Sequence, residues 1–271
     1  MEELLQQLVR QIQNKYFGKY RGFVVDNNDP EQLGRVSLRV PSVLGDAVTG
    51  WALPCLPFGG KADQGMFTIP EVDAQVWVEF EEGELSHPIW TGTFWQQNGD
   101  IPAEAAKSPP TTRLFKTPSG HILQFDDEAG AEQYRLHHPA GAEMTIDAQG
   151  SIVLTDANGA TIGMDASGNQ IEVRDVNGNT MTMSVSGTTV EDSNGNTIEM
   201  GVTGIKLTAS ATVVVEAAQV MLGGQGGEPI IKGPSFLTLF ATHIHPTAVG
   251  PSGPPIPQGE MSSLSTKVLT S

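Results

Sequence analysis

The sequence predicts an all-β protein, and three observations predict it. Apolar and polar residues alternate with the two-residue period of half-buried strands in Val36-Ser-Leu-Arg-Val40 and Val76-Trp-Val-Glu-Phe80. Glycine recurs about every nine residues, at positions 120, 130, 141, 150, 159, 168, 178, 187, 195 and 204. The 271 residues include 31 Gly, and 31 Asp+Glu stand against 15 Lys+Arg for a formal net charge of −16. That charge argues against any partner held by counterion release, so nucleic acid and anionic membrane surfaces are poor candidates and proteins are favoured. No apolar run reaches the length of a membrane span, and no signal h-region is read, so the expectation is a chain made in the cytoplasm without a signal peptide. The single Cys55 rules out an intrachain disulfide framework and a Cys-rich zinc site.

The elements follow in order. Over residues 2–17, Leu4, Leu5, Leu8, Ile12 and Tyr16 lie at helical spacing, with Glu2 and Glu3 early and Lys15 late, as the helix dipole favours. This predicts an N-terminal amphipathic helix within residues 1–18. Five short strands are expected next, at 22–26, 35–41, 51–56, 75–80 and 88–94, separated by turn signals such as Asn27-Asn-Asp-Pro30 and Phe58-Gly-Gly60. Five strands in so short a span suit a small closed barrel of the OB type over residues 19–96. Residues 97–112 lack apolar periodicity and are rich in Pro and small residues, which reads as a linker.

The glycine-periodic region, residues 113–222, carries most of the acidity: 14 Asp/Glu and 3 Lys/Arg between 118 and 222, against 15 and 10 in residues 1–117 and 2 and 2 in residues 223–271. Most of its glycines follow Asp or Asn by two or three residues, as in Asp156-Ala-Asn-Gly159 and Asp175-Val-Asn-Gly178, the chemistry of tight turns with φ > 0. Between them lie short strands such as Ile152–Thr155, Gln170–Val173, Thr180–Met183 and Thr197–Met200, each with one narrow apolar face. A strand-turn unit of about nine residues is too short for a full coil of a single-chain β-helix. Two arrangements remain open from spacing: an antiparallel meander of hairpins, or one third of each circuit of a β-helix wound from three chains. Ten strands advancing one ladder spacing each give a shaft roughly 50 Å long.

A further strand is expected at 208–216, after which Gly223-Gly-Gln-Gly-Gly227 breaks the period and opens a terminal region, 223–271. As an extended strand, Ser235–Pro246 places His243 and His245 on the same side as Leu237, Leu239 and Ala241. In one chain two histidines offer half of a tetrahedral site or a locally hydrogen-bonded pair. Three chains supply six imidazole nitrogens, a set for an octahedral transition metal with no open position and therefore a structural role. Residues 250–259 are Pro-rich and rigid, followed by a polar tail. Asp126-Asp-Glu128 is the densest acidic cluster and reads as a solvated turn before Gly130. No Ser-His-Asp arrangement, phosphate loop or His-Glu-x-x-His spacing appears, so no catalytic residue and no organic cofactor site is assigned. Trp51, Trp77, Trp90 and Trp95 read as core or docking contacts, because a single-strand groove needs a basic surface.

The motifs Leu33-Gly-Arg-Val36, Trp51-Ala-Leu-Pro54, Ile69-Pro-Glu-Val72, Val76–Phe80, Pro88-Ile-Trp90, Gly92…Trp95, Thr117–Asp127 and His243-Ile-His245, in this order, resemble phage baseplate assembly protein V and the VgrG-type spikes of type VI secretion systems, over roughly residues 20–250. The resemblance implies an OB barrel followed by an intertwined trimeric β-helix with a metal-binding apex, His243 and His245 matching the apex histidines that hold iron in relatives. It implies a non-enzymatic central spike, one iron per homotrimer, docked by its OB domain on a trimeric hub in a virion baseplate or contractile injection particle. A separate tip protein and transient contact with the target envelope complete the expected partners. Only about 19 residues precede the barrel, so the hub is expected as a separate polypeptide, and the linker leaves no room for a lysozyme domain. The competing readings are a β-helical enzyme, either a glycan depolymerase or a metal-dependent hydrolase, and a receptor-binding adhesin.

Overall fold

The computed structural model describes residues 15–221 and 233–255. It divides into two compact units, one reaching to Thr208 and one beginning at Ala209. The expected N-terminal helix lies outside the described residues up to position 14, and residues 15–17 carry no helix.

The first sheet has five strands, β1 (Tyr20–Asp26), β2 (Ser37–Arg39), β3 (Leu53–Pro54), β4 (Gln75–Phe80) and β5 (Pro88–Thr93), in the order β2-β1-β4-β5-β3. Neighbours run antiparallel except β3, which lies parallel to β5. This is an OB-like half-barrel, and it forms because alternation sends Val24, Leu38, Val76, Val78, Phe80 and Trp90 to one side, where with Val36, Val40 and Ala52 they make the core. Gly22 permits the closeness of β1 and β4, since a Cβ there would stand 2.6 Å from Val78 Cγ2. A short helix, α1 (Pro41–Leu44), follows β2.

The loop between β1 and β2 is organised by one carboxylate. Asp29, 7% exposed, accepts from the backbone N–H groups of Glu31, Leu33 and Arg35 and from the Arg35 guanidinium, with Nη2 at 2.6 Å. The Arg35 guanidinium holds the Asp29 carboxyl well below the usual carboxylate range, against the opposing effect of burial.

Residues 97–112 join the two sheets of this unit and contain a single 3-10 turn, Ala103–Ala105. Lys107 pairs with Asp126 at 2.5 Å, and Glu104 with Lys116 at 2.7 Å. Asp126, expected in a solvated turn, is instead 6% exposed at the end of a strand, also accepting from Thr112 Oγ1. Lys107 draws its carboxyl down to about 2.

The second sheet has eleven strands among the described residues: β6 (Thr112–Lys116), β7 (Ile122–Asp126), β8 (Gln133–His137), β9 (Glu143–Ile146), β10 (Ile152–Thr155), β11 (Thr161–Asp165), β12 (Gln170–Arg174), β13 (Thr180–Ser184), β14 (Gly187–Glu191), β15 (Thr197–Gly201) and β16 (Gly204–Thr208). Each pairs antiparallel with its chain neighbours, in sequence order. Of the two arrangements left open by spacing, this is the hairpin meander. Every ladder of the described sheet joins consecutive strands of one chain, and the winding of three chains that the resemblance implies is not seen in it.

The turns explain why. At Asp175-Val-Asn-Gly-Asn179, Asp175 N–H donates to Asn179 C=O at 3.0 Å, and Asp175 Oδ1 accepts from the Asn177 and Asn179 N–H groups at 2.9 and 2.8 Å. Gly178 sits at φ 91°, closing a three-residue loop that returns the chain beside the strand it left. Thr117, His138, Asp147, Asp156 and Asp192 head turns with the same backbone closure. At the turn containing Gly168 the left-handed residue is Asn169, at φ 50°. The strand expected at 208–216 does not form: β16 ends at Thr208, and no Asp-x-x-Gly unit follows to fold the next segment back.

Asn179 and the backbone donors of its turn lower the Asp175 carboxyl to about 2, so the turn is stabilised by the ionised form. The sign follows: this stabilisation is complete above the ordinary carboxylate range near 4 and is lost as pH falls through about 2. Asp175→Asn keeps an acceptor oxygen without the charge and is expected to flatten the loss of melting temperature between those pH values, measured by circular dichroism.

In the second unit, Gly233–Thr242 is a helix, α2, where an extended strand was expected. Both periods fit the residues, and local features favour the helix. Pro234 occupies its first turn, Phe236 and Phe240 stack four residues apart at 6.1 Å, and the Thr238 and Thr242 hydroxyls bond back to Pro234 and Thr238 carbonyls.

Candidate functional site

The register of the long sheet sorts its side chains by face. One column runs Phe125–Tyr134–Ile146–Ile152–Met164–Ile171–Met183–Thr188–Met200–Ile205 from β7 to β16. A second, on the same face, runs Leu123–Leu136–Met144–Leu154–Ile162–Val173–Met181–Val190–Ile198–Leu207. Only Thr188 breaks this apolar surface. The opposite face presents Arg135, Thr145, Val153, Gly163, Glu172, Thr182, Thr189, Glu199 and Lys206 in one column, polar but for Val153 and Gly163. The apolar face is uncovered in the single chain: Ile162, Ile171, Met181, Val190, Ile198 and Leu207 are all more than a third exposed. Two continuous rows of this length far exceed the apolar patch of an ordinary monomer, which marks the face as an interaction surface.

The turns at the strand ends keep the acidic groups off that face. Asp156, Asp175 and Asp192 sit in the loops with carboxyls held below the usual range by hydrogen bonds within the loops. The uneven acidity of the sequence therefore maps onto strand ends and the polar face.

His243 and His245 follow α2 directly, their rings edge-to-face with centroids 5.0 Å apart. His243 Nδ1 is hydrogen-bonded to Phe240 C=O, which directs its proton there and leaves Nε2 as the lone-pair nitrogen. His245 is held through its backbone: its N–H donates to Ser252 Oγ at 2.8 Å, and its C=O accepts from Ser252 N–H at 2.7 Å. Two antiparallel segments, β17 (Pro246–Thr247) and β18 (Gly250–Pro251), follow. Among the described residues no group of three His, Cys, Asp or Glu side chains lies close enough to hold a metal within one chain. Two neutral imidazoles suit a transition metal only if further ligands come from other copies.

Trp90 is in the core, 3% exposed, with its indole N–H donating to Gly34 C=O at 3.3 Å, whereas Trp77 lies on the outer face of the barrel sheet and Trp95 is exposed. The Asp29–Arg35 pair is the feature that residue-by-residue reading missed; its signal was an Asp-Pro turn six residues before an arginine within a strand-loop-strand unit. No helix among the described residues is long and apolar enough to cross a membrane. Residues 20–95 match the family model of the type VI secretion system/phage-baseplate injector OB domain.

Proposed function

We propose, from the match of residues 20–95 to the injector OB domain of type VI secretion systems and phage baseplates, that the chain is the structural central spike of a contractile tail or tail-like injection particle. The observation that carries this reading is the uncovered apolar face of the meander, which needs partners of matching length, most simply further copies of itself.

Geometry favours three copies. Five-residue strands make a sheet about 17 Å wide, and three such sheets closed into a triangular prism stand about 5 Å from the common axis. That is half the usual ~10 Å separation of packed sheets, so the two inward side chains of each strand fill the prism. The spike is therefore a homotrimer of meanders packed face to face, with polar faces and acidic turns outside. It docks by its barrel on a trimeric hub supplied by another polypeptide and pierces the target envelope on sheath contraction. Its role is mechanical and not enzymatic.

His243 and His245 of three copies would hold one structural iron ion, fastening the three chains together. Sedimentation of the full chain should give three times the 28.8 kDa chain mass, and metal analysis one iron per three chains. His243→Ala with His245→Ala should remove the iron while leaving the trimer and its β-spectrum intact. A monomer at micromolar concentration overturns the trimer; full iron content in the double variant overturns the apex assignment.

A further inference from the structure

The outer face of the barrel sheet carries a second, unassigned surface. Arg21 on β1 faces Trp77 on β4, with its guanidinium carbon 6.0 Å from the Trp77 ring centroid and 5.5 Å from that of Phe94. The Trp77 and Phe94 rings themselves lie 4.7 Å apart. Two residues along β1, Phe23 faces Arg39 on β2, whose guanidinium carbon is 5.2 Å from the Phe23 ring centroid. Both arginines are exposed. In a chain with twice as many carboxylates as cations, neither is ion-paired among the described residues. Glu79, on the same strand as Trp77, is paired with Lys19 at 2.8 Å, and Asp100 accepts from the Gln96 and Gln97 N–H groups at 3.0 and 3.1 Å.

A guanidinium stacked on a ring is oriented at little entropic cost and keeps its N–H edge for a bidentate carboxylate. Arg21 and Arg39 are diagonal neighbours across the β1–β2 pair, a relation that separates side chains by ~7–8 Å. An extended peptide presents same-side residues at alternate positions ~7 Å apart, a close match. The rings are occupied by the arginines and so are not open to base stacking, and the net charge of −16 repels a polyanion at long range.

We propose that the outer face of β1, β2 and β4 is a docking site for an extended protein segment bearing carboxylates at alternate positions, gripped by Arg21 and Arg39 on their aromatic supports. The site uses residues of the first sheet and Phe94 only, none from the apolar face of the meander or from the second unit.

The test uses the full chain and a synthetic peptide alternating glutamate and threonine, with titration calorimetry and tryptophan emission as readouts. Binding is expected, with a change of emission that Trp77→Phe abolishes, and with affinity falling as salt is raised. Arg21→Gln with Arg39→Gln is expected to weaken it at least about tenfold without moving the melting temperature. Arg21→Glu with Arg39→Glu should transfer the preference to a peptide alternating lysine and threonine. The proposal is overturned if the glutamate peptide fails to bind, if a glutamine-threonine peptide binds equally well, if the variants bind as the parent does, or if a thymidine oligonucleotide of the same length binds more tightly.

Discussion

Ile171→Asp is expected to convert the proposed trimer into monomers. Ile171 lies mid-way along one apolar column, flanked across the ladder by Met164 and Met183. In the closed prism each copy would place an unpaired carboxylate among apolar side chains of two others, at the same height as its two equivalents. Burying one such group costs about 3 kcal/mol or more, and mutual repulsion of three adds to it. Thr182→Asp, on the polar face of the neighbouring strand, puts the same charge in water and is expected to leave the mass unchanged. Sedimentation equilibrium compares the two. A trimer in Ile171→Asp, or dissociation by both variants alike, would show that this face is not the one buried.

Asp29→Ala is expected to lower the melting temperature of the barrel by about 10 °C or more. The substitution leaves the Glu31, Leu33 and Arg35 N–H groups without their acceptor and the Arg35 guanidinium, beside Trp51, without its closest partner. Asp29→Asn keeps an acceptor for the backbone and loses the ion pair, so it should fall between alanine and the parent. Because the folded Asp29 carboxyl is held below its unfolded value, its stabilisation is present above about pH 4 and drains away as pH falls towards the folded value. Asp29→Asn should therefore show a shallower loss of stability in acid than the parent. Thermal melts followed at a series of pH values measure both effects, and a parent and Asn variant with parallel acid profiles would count against the assignment.

The sequence was most legible where one rule acted alone. Gln75–Phe80 alternates and forms a strand with those bounds, and Ile152–Thr155, a short β-branched and apolar run set between two Asp-x-x-Gly turns, also forms a strand with its expected bounds. The turn residues also contained the answer to the pairing question, since a loop closing from Asp175 to Asn179 folds a strand onto its own predecessor. The resemblance adds winding between chains, which local turn chemistry does not specify. Residues 235–246 failed differently: Phe236 and Phe240 satisfy a helical stack as readily as the alternating row satisfies a strand, and the first-turn preference of Pro234 is a local signal that alternation does not weigh. The burial of Asp126 was invisible because its partner Lys107 comes from a segment read as a spacer. Arg21 and Arg39 lie 18 residues apart in sequence, and only the β1–β2 register makes them neighbours.

The meander has a mechanical consequence. Hydrogen bonds of an antiparallel ladder run perpendicular to the strands, hence along the direction in which β6 to β16 are stacked. Pushing along that direction presses each strand against the next and shortens bonds that are already made. Pulling along it opens one hairpin after another, each held by only a few bonds. A sheet of this construction bears compression along its stacking direction and yields to tension.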